Sequence, residues 1–338
     1  MEFKAEFPLF MLQFRKPAEW MFLFGQRHGA WLKKVGDLGV IVAMFCMPLA
    51  FAFLVKSTYN LLAGGGASIA LMIPGVEMPG TGFRIPVVEG LLAILLIAIF
   101  HEGMHGLMAG AEGVKAKWAA LLLLLVIPAA GVELGDAEMK KMGKRGRLRV
   151  LAAGSMGNFI LAALALVLFL GLGRVAGGVV DYQGIRILNV TNPEIGLVPG
   201  DVVVGLNGVG IKQVADLVEV MKGVVPGEVM EIVTLNGTVS GRTIGDVEKG
   251  ALLGVLLQQE FEVGKLGMLL IKIVGFLGLL FQFNLGVGVI NLLPVGILDG
   301  GRMAGDLFGG WSRKIGVVGG GLLIFNLVWP YLSLLING

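Results

Sequence analysis

The sequence predicts a multi-spanning α-helical membrane protein, with about five transmembrane helices, a membrane re-entrant segment and an inserted small β-rich domain. Three observations carry this. The 338 residues are 56% hydrophobic and only 15% charged, where soluble domains are roughly a quarter charged, and the mean hydropathy is +0.84. Apolar residues gather in runs of about 20, the length needed to cross some 30 Å of hydrocarbon. Between about 180 and 262 the runs shorten to strand length, punctuated by Gly, Asn, Pro and Asp.

The first segment, residues 1–62, contains "FPLFMLQFRKPAEWMFLFG" (7–25), in which basic residues are spread among aromatics. It is no cleavable signal peptide and reads as interfacial and cytosolic. Spans are expected at about 38–55, 87–110, 150–172, 266–298 and 315–336. Basic flanks at Lys33 and Lys34, at "MKKMGKRGRLR" (139–149), and at Arg302, Arg313 and Lys314 place the N-terminus inside and alternate the spans consistently. The lone cysteine, Cys46, excludes an intramolecular disulfide and reads as a buried small hydrophobe. A net charge of +3 is too small to suggest nucleic acid.

"WAALLLLLVIPAAGVEL" (118–134) is apolar, yet Lys115 and Lys117 precede it and the basic run follows it, so both flanks want the same side. It reads as a hairpin or loop dipping into the bilayer, broken by Pro128 and Gly131; a tilted span is the other reading. In the β-rich domain, Asn-Gly pairs at 207–208 and 236–237 signal hairpin turns, and "VADLVEVMKGV" (214–224) has helical spacing. "AGGGAS" (63–68) and "GDLFGGW" (305–311) read as loops. The division is 1–62, 63–179 as the first part of a membrane core, 180–262 as the β-rich domain, and 263–338 as the second part of the core.

Chemistry concentrates in "LLAILLIAIFHEGMHGLMAG" (91–110). Ionisable side chains inside a span are expensive and face a cavity or a task. His-Glu-x-x-His sets His101 and His105 one turn apart on one helix face, where both can reach one Zn2+. Glu102, beside the first ligand, is placed to take a proton from water. The remaining histidine, His28, sits beside Arg27 and reads as a surface residue. A catalytic zinc needs a third protein ligand. Asp299 closes "LGVGVINLLPVGILDGGRM", where Pro294, Gly296, Gly300 and Gly301 loosen the helix. His101 lies about 20 Å into its span at 1.5 Å per residue, at the level where Asp299 also falls. A plain helix-terminus carboxylate is the competing reading of Asp299.

HEGMH followed far downstream by the stretch from Asn291 through Pro294 to Asp299 and Gly300 resembles the site-2 protease family of intramembrane zinc metalloproteases, whose paired signatures are HExxH and NxxPxxxxDG. "IPGVEMP" (73–79) looks like the eukaryotic and archaeal branch, "AAGSMGNFILA" (152–162) resembles the family's second core helix, and the β-rich insert occupies the place of a PDZ-like domain. The resemblance implies that His101, His105 and Asp299 bind zinc, that Glu102 is general base and later proton donor, and that Asn291 polarises or orients the scissile carbonyl. Asn158 is a weaker candidate for that polar role, a helix–helix contact being its alternative. "GLVPGDVVVGLNG" (196–208) resembles the carboxylate-binding turn of PDZ-like modules. Arg302 after the Asp-Gly-Gly has no reading.

The expected function is therefore an intramembrane zinc endopeptidase, cutting within or near transmembrane segments of single-span membrane proteins, membrane-tethered transcription regulators or their inhibitors among them. Its expected location is the cell membrane, multi-pass, with the PDZ-like domain extracytoplasmic. Its partners are those substrates and the lipid bilayer, and no nucleic acid. The segment at 118–134 is the candidate clamp that pairs with an unwound substrate. A proton- or metal-coupled transporter built on the same His/Glu/Asp cluster is the alternative, but it expects internal repeats that are not visible.

Overall fold

A computed structural model describes residues 2–6, 9–65, 69, 73–77, 84–246 and 250–337. The ends of the Gly-rich stretch at 66–68 and of "IPGVEMP" at 78–79 lie outside the described residues. The chain divides into two compact units, Met1–Phe169 with Gly275–Gly338, and Leu170–Val274.

The helical unit begins with two strands, β1 (Glu2–Glu6) and β2 (Leu9–Phe14), then α1 (Arg15–Arg27), α2 (Gly29–Leu62) and α3 (Val87–Ala111). The stretch 118–134 is neither helix nor tilted span. It forms a hairpin of β3 (Ala119–Leu124) and β4 (Ile127–Val132), turning at Leu125 in the left-handed region (φ 56). β2 pairs antiparallel with β3, so the sheet runs β1-β2-β3-β4 and β4 is an edge. A short α4 (Asp136–Lys141) leads to α5 (Lys144–Val179). Among the described residues five helices are long and apolar enough to cross a membrane: α2, α3, α5, α7 (Lys265–Asn291) and α9 (Trp311–Asn337).

Lipid offers little hydrophobic drive between helices, so small residues and hydrogen bonds set the crossings. A Cβ at Gly25 would lie 2.5 Å from the Leu107 carbonyl oxygen, and one at Gly110 would lie 2.8 Å from that of Met21, so α1 and α3 touch backbone to backbone. Ser57 donates to Asn326 Oδ1 (2.6 Å) and Asn326 Nδ2 donates to Thr58 Oγ1 (2.6 Å), tying α2 to α9. Ion pairs fasten the start of α5. Arg149 holds Asp37 on α2 (2.7 Å) and Glu112 at the end of α3 (2.8 Å), while Arg147 holds Asp306 (2.8 Å).

α7 ends at Asn291 because Pro294 has no N–H to continue the ladder and disfavours helical backbone in the residue before it. The chain tightens through Leu293 N–H to the Ile290 carbonyl and Val295 N–H to the Leu293 carbonyl, and then α8 (Asp299–Phe308) begins. Gly300 and Gly301 press against the carbonyls of Leu292 and Val295, which a side chain there would overlap. Contrary to the sequence reading, "GDLFGGW" is not one loop. Its first four residues, 305–308, finish α8, Gly309 turns at φ 57, and Trp311 opens α9, because burial of Met303 and Ala304 carries the helix past Gly305.

The second unit holds β5 (Asp181–Val190), a 3-10 turn (Pro193–Ile195), β6 (Val202–Leu206), β7 (Val209–Gly210), α6 (Val214–Met221), β8 (Val229–Thr234), β9 (Gly237–Arg242), β10 (Ile244–Asp246), β11 (Gly250–Leu252) and β12 (Val255–Glu262). Its main sheet runs β12-β5-β6-β8-β9 with β7 beside β6, and β10–β11 form a separate ribbon. Both Asn-Gly pairs turn hairpins; Asn207 (φ 48) and Gly208 (φ 78) supply the two positive φ values such a turn requires. Ile185, Ile187, Leu206, Met230 and Ile232 form the core against Leu217 of α6. Asp216 caps α6 by accepting from the N–H groups of Gln213 and Lys212 (both 2.9 Å), which holds its carboxyl below the ordinary range. Arg186 grips Glu260 with two bonds (2.6 and 2.8 Å) and does the same to it.

Candidate metal centre

The four-residue spacing puts His101 and His105 on one face of α3, edge to face with ring centroids 4.8 Å apart, and both are buried. The room they occupy is made by α5. A Cβ at Gly154 would overlap both imidazoles, and one at Gly157 would lie 2.5 Å from Met104 Cγ. Opposite stands Asp299, the first residue of α8. Its Oδ2 is 3.1 Å from His101 Nε2 and 3.1 Å from His105 Nε2, and the two Nε2 atoms are 3.2 Å apart.

His105 Nδ1 donates to the Val150 carbonyl (2.7 Å), which leaves Nε2 as a lone pair facing the carboxylate. That is the tautomer a metal requires, fixed by an outer hydrogen bond. Two acceptor atoms at 3.1 Å need a positive charge between them. Tetrahedral zinc with bonds of about 2.0–2.1 Å sets neighbouring ligand atoms about 3.3 Å apart, so the spacing here suits that ion. Among the described residues His101, His105 and Asp299 are the group that could hold a metal.

A cavity of about 380 Å3 opens onto these three side chains, lined also by Glu102, Asn291 and Arg302. Glu102 is held in place from β4, where Val132 N–H donates to its Oε2 (3.0 Å). Asn291, the last residue of α7, reaches the same cavity from the far side of the Pro294 break. All the sequence-predicted residues, His101, Glu102, His105, Asn291 and Asp299, therefore line one space. Asn158 does not: it is wholly buried in α5, and its Nδ2 lies 3.1 Å from His101 Nδ1, behind the imidazole. His28 caps α2 at the surface against the Phe24 ring, away from the site.

Sequence reasoning missed the supports. Gly154 was legible as part of a run of small residues in "AAGSMGN", but nothing in the sequence says that it faces the histidines. The Val150 carbonyl and the Val132 amide are backbone groups and leave no residue-type signal.

Comparison with known proteins agrees with this geometry. The profile of Peptidase family M50 matches residues 89–324, which hold both halves of the metal group. The Methanocaldococcus jannaschii protein MJ0971 is 29% identical over 270 residues, covering 78% of this chain and 69% of that protein. An Arabidopsis thaliana protein described as a membrane-bound transcription factor site-2 protease homolog is 25% identical over 133 residues, covering 38% of this chain and 26% of that protein.

Proposed function

Because the chain belongs to peptidase family M50, whose members are membrane metallopeptidases, we propose that it is an intramembrane zinc endopeptidase of the site-2 type, hydrolysing peptide bonds within or near transmembrane segments of single-span proteins. One observation carries the reading. Two imidazoles on a spanning helix and a carboxylate from a separate short helix converge within hydrogen-bonding distance, with Glu102 on the same cavity.

Bound by His101, His105 and Asp299, zinc would supply Lewis acidity to a carbonyl and to a water. Glu102 takes the proton of the attacking water and returns it to the leaving amine. Its bond from Val132 N–H keeps the carboxylate turned to the cavity. Asn291 offers its amide N–H to the scissile carbonyl oxygen, where charge develops.

A helical substrate hides its carbonyls in its own hydrogen bonds, so it must be unwound locally. β4 is suited to hold the unwound stretch. Glu133 exchanges backbone bonds with Lys117 and Trp118 across the hairpin, so by antiparallel alternation Val132 and Ala130 point their N–H groups away from β3, that of Val132 to Glu102 and that of Ala130 toward an added strand. Strand addition at this edge sets an extended peptide beside Glu102. Ala130→Pro removes one of those N–H groups; the reading expects weaker cleavage with metal content unchanged.

The basic flanks favour a cytosolic N-terminus and an extracytoplasmic second unit. That unit serves as a PDZ-like size filter or tail-binding module. A groove of about 720 Å3 between α6 and residues 250–257, next to the edge strand β12, suits an extended peptide better than the turn at 196–200 does. If deleting 182–260 leaves the preference for truncated over full-length substrates untouched, the filter reading fails. Membrane-tethered transcription regulators, or inhibitors of such regulators, are the substrates this arrangement fits.

The test of the whole is cleavage of a single-span substrate by protein purified in detergent. Product from wild type and none from Glu102→Gln, with zinc in both, is the expected result. Equal product from the two would sink the assignment.

A further inference from the structure

Arg302, to which the sequence assigns no task, lines the metal cavity and is exposed there, and its guanidinium makes no hydrogen bond or ion pair among the described residues. Two carboxylates stand on its own helix at the spacings where side chains meet, three residues before it and four after. Both are committed elsewhere. Asp299 turns Oδ2 to His101 and His105 (3.1 Å each), and Asp306 is gripped by Arg147 of α5 through two bonds (3.0 and 2.8 Å). The other acids of the cavity are held too, Glu102 by the Val132 N–H (3.0 Å) and Glu133 by Lys117 (2.6 Å).

The position does nothing for the helix. At the end of the first turn of α8 a cation stands toward the positive end of the helix dipole, where the field disfavours it. The backbone that carries it is fixed, because Gly300 and Gly301 lie against the carbonyls of Leu292 and Val295. Neighbouring arginines differ in this respect: Arg145 and Arg149 both bind Asp37, and Arg149 also binds Glu112.

A guanidinium left unpaired in such a cavity suits an anion that arrives from outside the chain. Its planar fork matches a carboxylate with two parallel bonds. A peptide added to β4 would share the cavity with Arg302, since Val132 at the end of that strand lines it as well. Hydrolysis breaks the C–N bond and leaves a carboxylate on one fragment and an amine on the other.

We propose, taking the peptidase reading as given, that Arg302 is a specificity-determining residue that receives a carboxylate of the substrate chain. The carboxylate is that of an Asp or Glu side chain beside the scissile bond, or the one that cleavage creates.

The experiment uses full-length protein in detergent and a single-span test substrate carrying Asp, Asn or Lys in turn at each residue flanking the cut. If a side chain is the ligand, wild type shows a KM about 10–100-fold lower for Asp than for Asn at one position, as a charge-assisted bond provides. Arg302→Gln then loses the preference and Arg302→Glu moves it to Lys. A second arm adds the substrate fragment that ends at the cut, as free acid or as amide. If the newly made carboxylate is the ligand, the free acid inhibits wild type about 10–100-fold more strongly than the amide, and Arg302→Gln is inhibited alike by both. Arg302→Lys, which keeps the charge and loses the fork, should retain only part of either preference. Indifference of wild type in both arms, or a preference that Arg302→Gln retains, overturns the proposal, as does a uniform loss on every substrate, the mark of a structural role. Should Arg302→Gln fail to fold, Arg302→Lys decides: a preference undiminished in it overturns the proposal. A wild type that cleaves nothing would sink the peptidase reading itself, whereas cleavage blind to every carboxylate sinks this inference alone.

Discussion

In the β unit, Ile185, Ile187, Leu206, Met230 and Ile232 are sealed from solvent, Arg186 and Glu260 are paired at its surface, and Asp216 accepts from backbone amides there. In the helical unit Phe45, Leu49 and Val317 stand about 70% exposed, while Ser57, Ser155, Asn158, Asn284, Asn326 and the two site histidines are buried. The difference is one of solvent. Water drives large apolar side chains together in the first case. Lipid drives nothing of the kind in the second, so helices meet through Gly, Ala and buried hydrogen bonds. The polar interior of the helical unit is thus both its cement and its chemistry, and a small change there reaches the site directly.

The largest expected effect follows from a single methyl group. Gly154→Ala sets a Cβ against both imidazoles, and should abolish stoichiometric metal and all cleavage; metal analysis and a substrate assay check it. Its counterpart in the β unit, Gly208→Ala, meets no atom within 4 Å but keeps a positive φ of 78. It should cost about 1 kcal/mol of stability and leave metal content alone.

Apolar truncation should show the reverse ranking. Ile232→Ala in the β core is expected to destabilise that unit by roughly 2–5 kcal/mol. Leu49→Ala on the exposed face of α2 should fall within about 0.5 kcal/mol. Denaturation in the same detergent compares the two. Between these two lies Asn326→Ala, which severs α9 from Ser57 and Thr58; a loss of about 0.6–1.7 kcal/mol is expected from hydrogen bonds of this kind.

The smallest effect concerns acid. The folded carboxyls of Asp216 and Glu260 lie below their unfolded values. Their stabilisation of the β unit is therefore complete above about pH 4.5, and is lost as pH falls through the depressed folded values. Asp216→Asn and Glu260→Gln should each lower amide protection in β8 slightly at neutral pH and leave less to lose toward pH 3. Unchanged protection in both would break the contrast drawn with the buried polar groups.

The spans were legible because lipid demands uninterrupted apolar length: four of the five expected runs fall within helices, with α2 and α5 extending well past the apolar stretch, while the run expected at 266–298 overran α7, which stops at Asn291 ahead of Pro294. His101, Glu102, His105 and Asp299 were legible because ionisable groups are conspicuous in such surroundings. β1 and β2 were not read, since aromatics and basic residues between 2 and 14 mimic an interfacial segment, and their pairing with β3 lies more than 100 residues away in sequence. The hairpin at 119–132 was legible as an irregular dip from its matched basic flanks, but a run of leucines carries no period-two pattern, so its strands were hidden. Asn158 shows the limit most clearly: its residue type announced a polar role, and only geometry shows that the role is toward His101 rather than toward a substrate.

The central claim is that three side chains from two distant pieces of chain grip one ion. Zinc stoichiometry of purified wild type, Glu102→Gln and Asp299→Ala tests it most directly. One zinc per chain in the first two and almost none in Asp299→Ala is what the account predicts. Zinc retained at full stoichiometry and affinity without the Asp299 carboxylate, or absent from wild type, would contradict it.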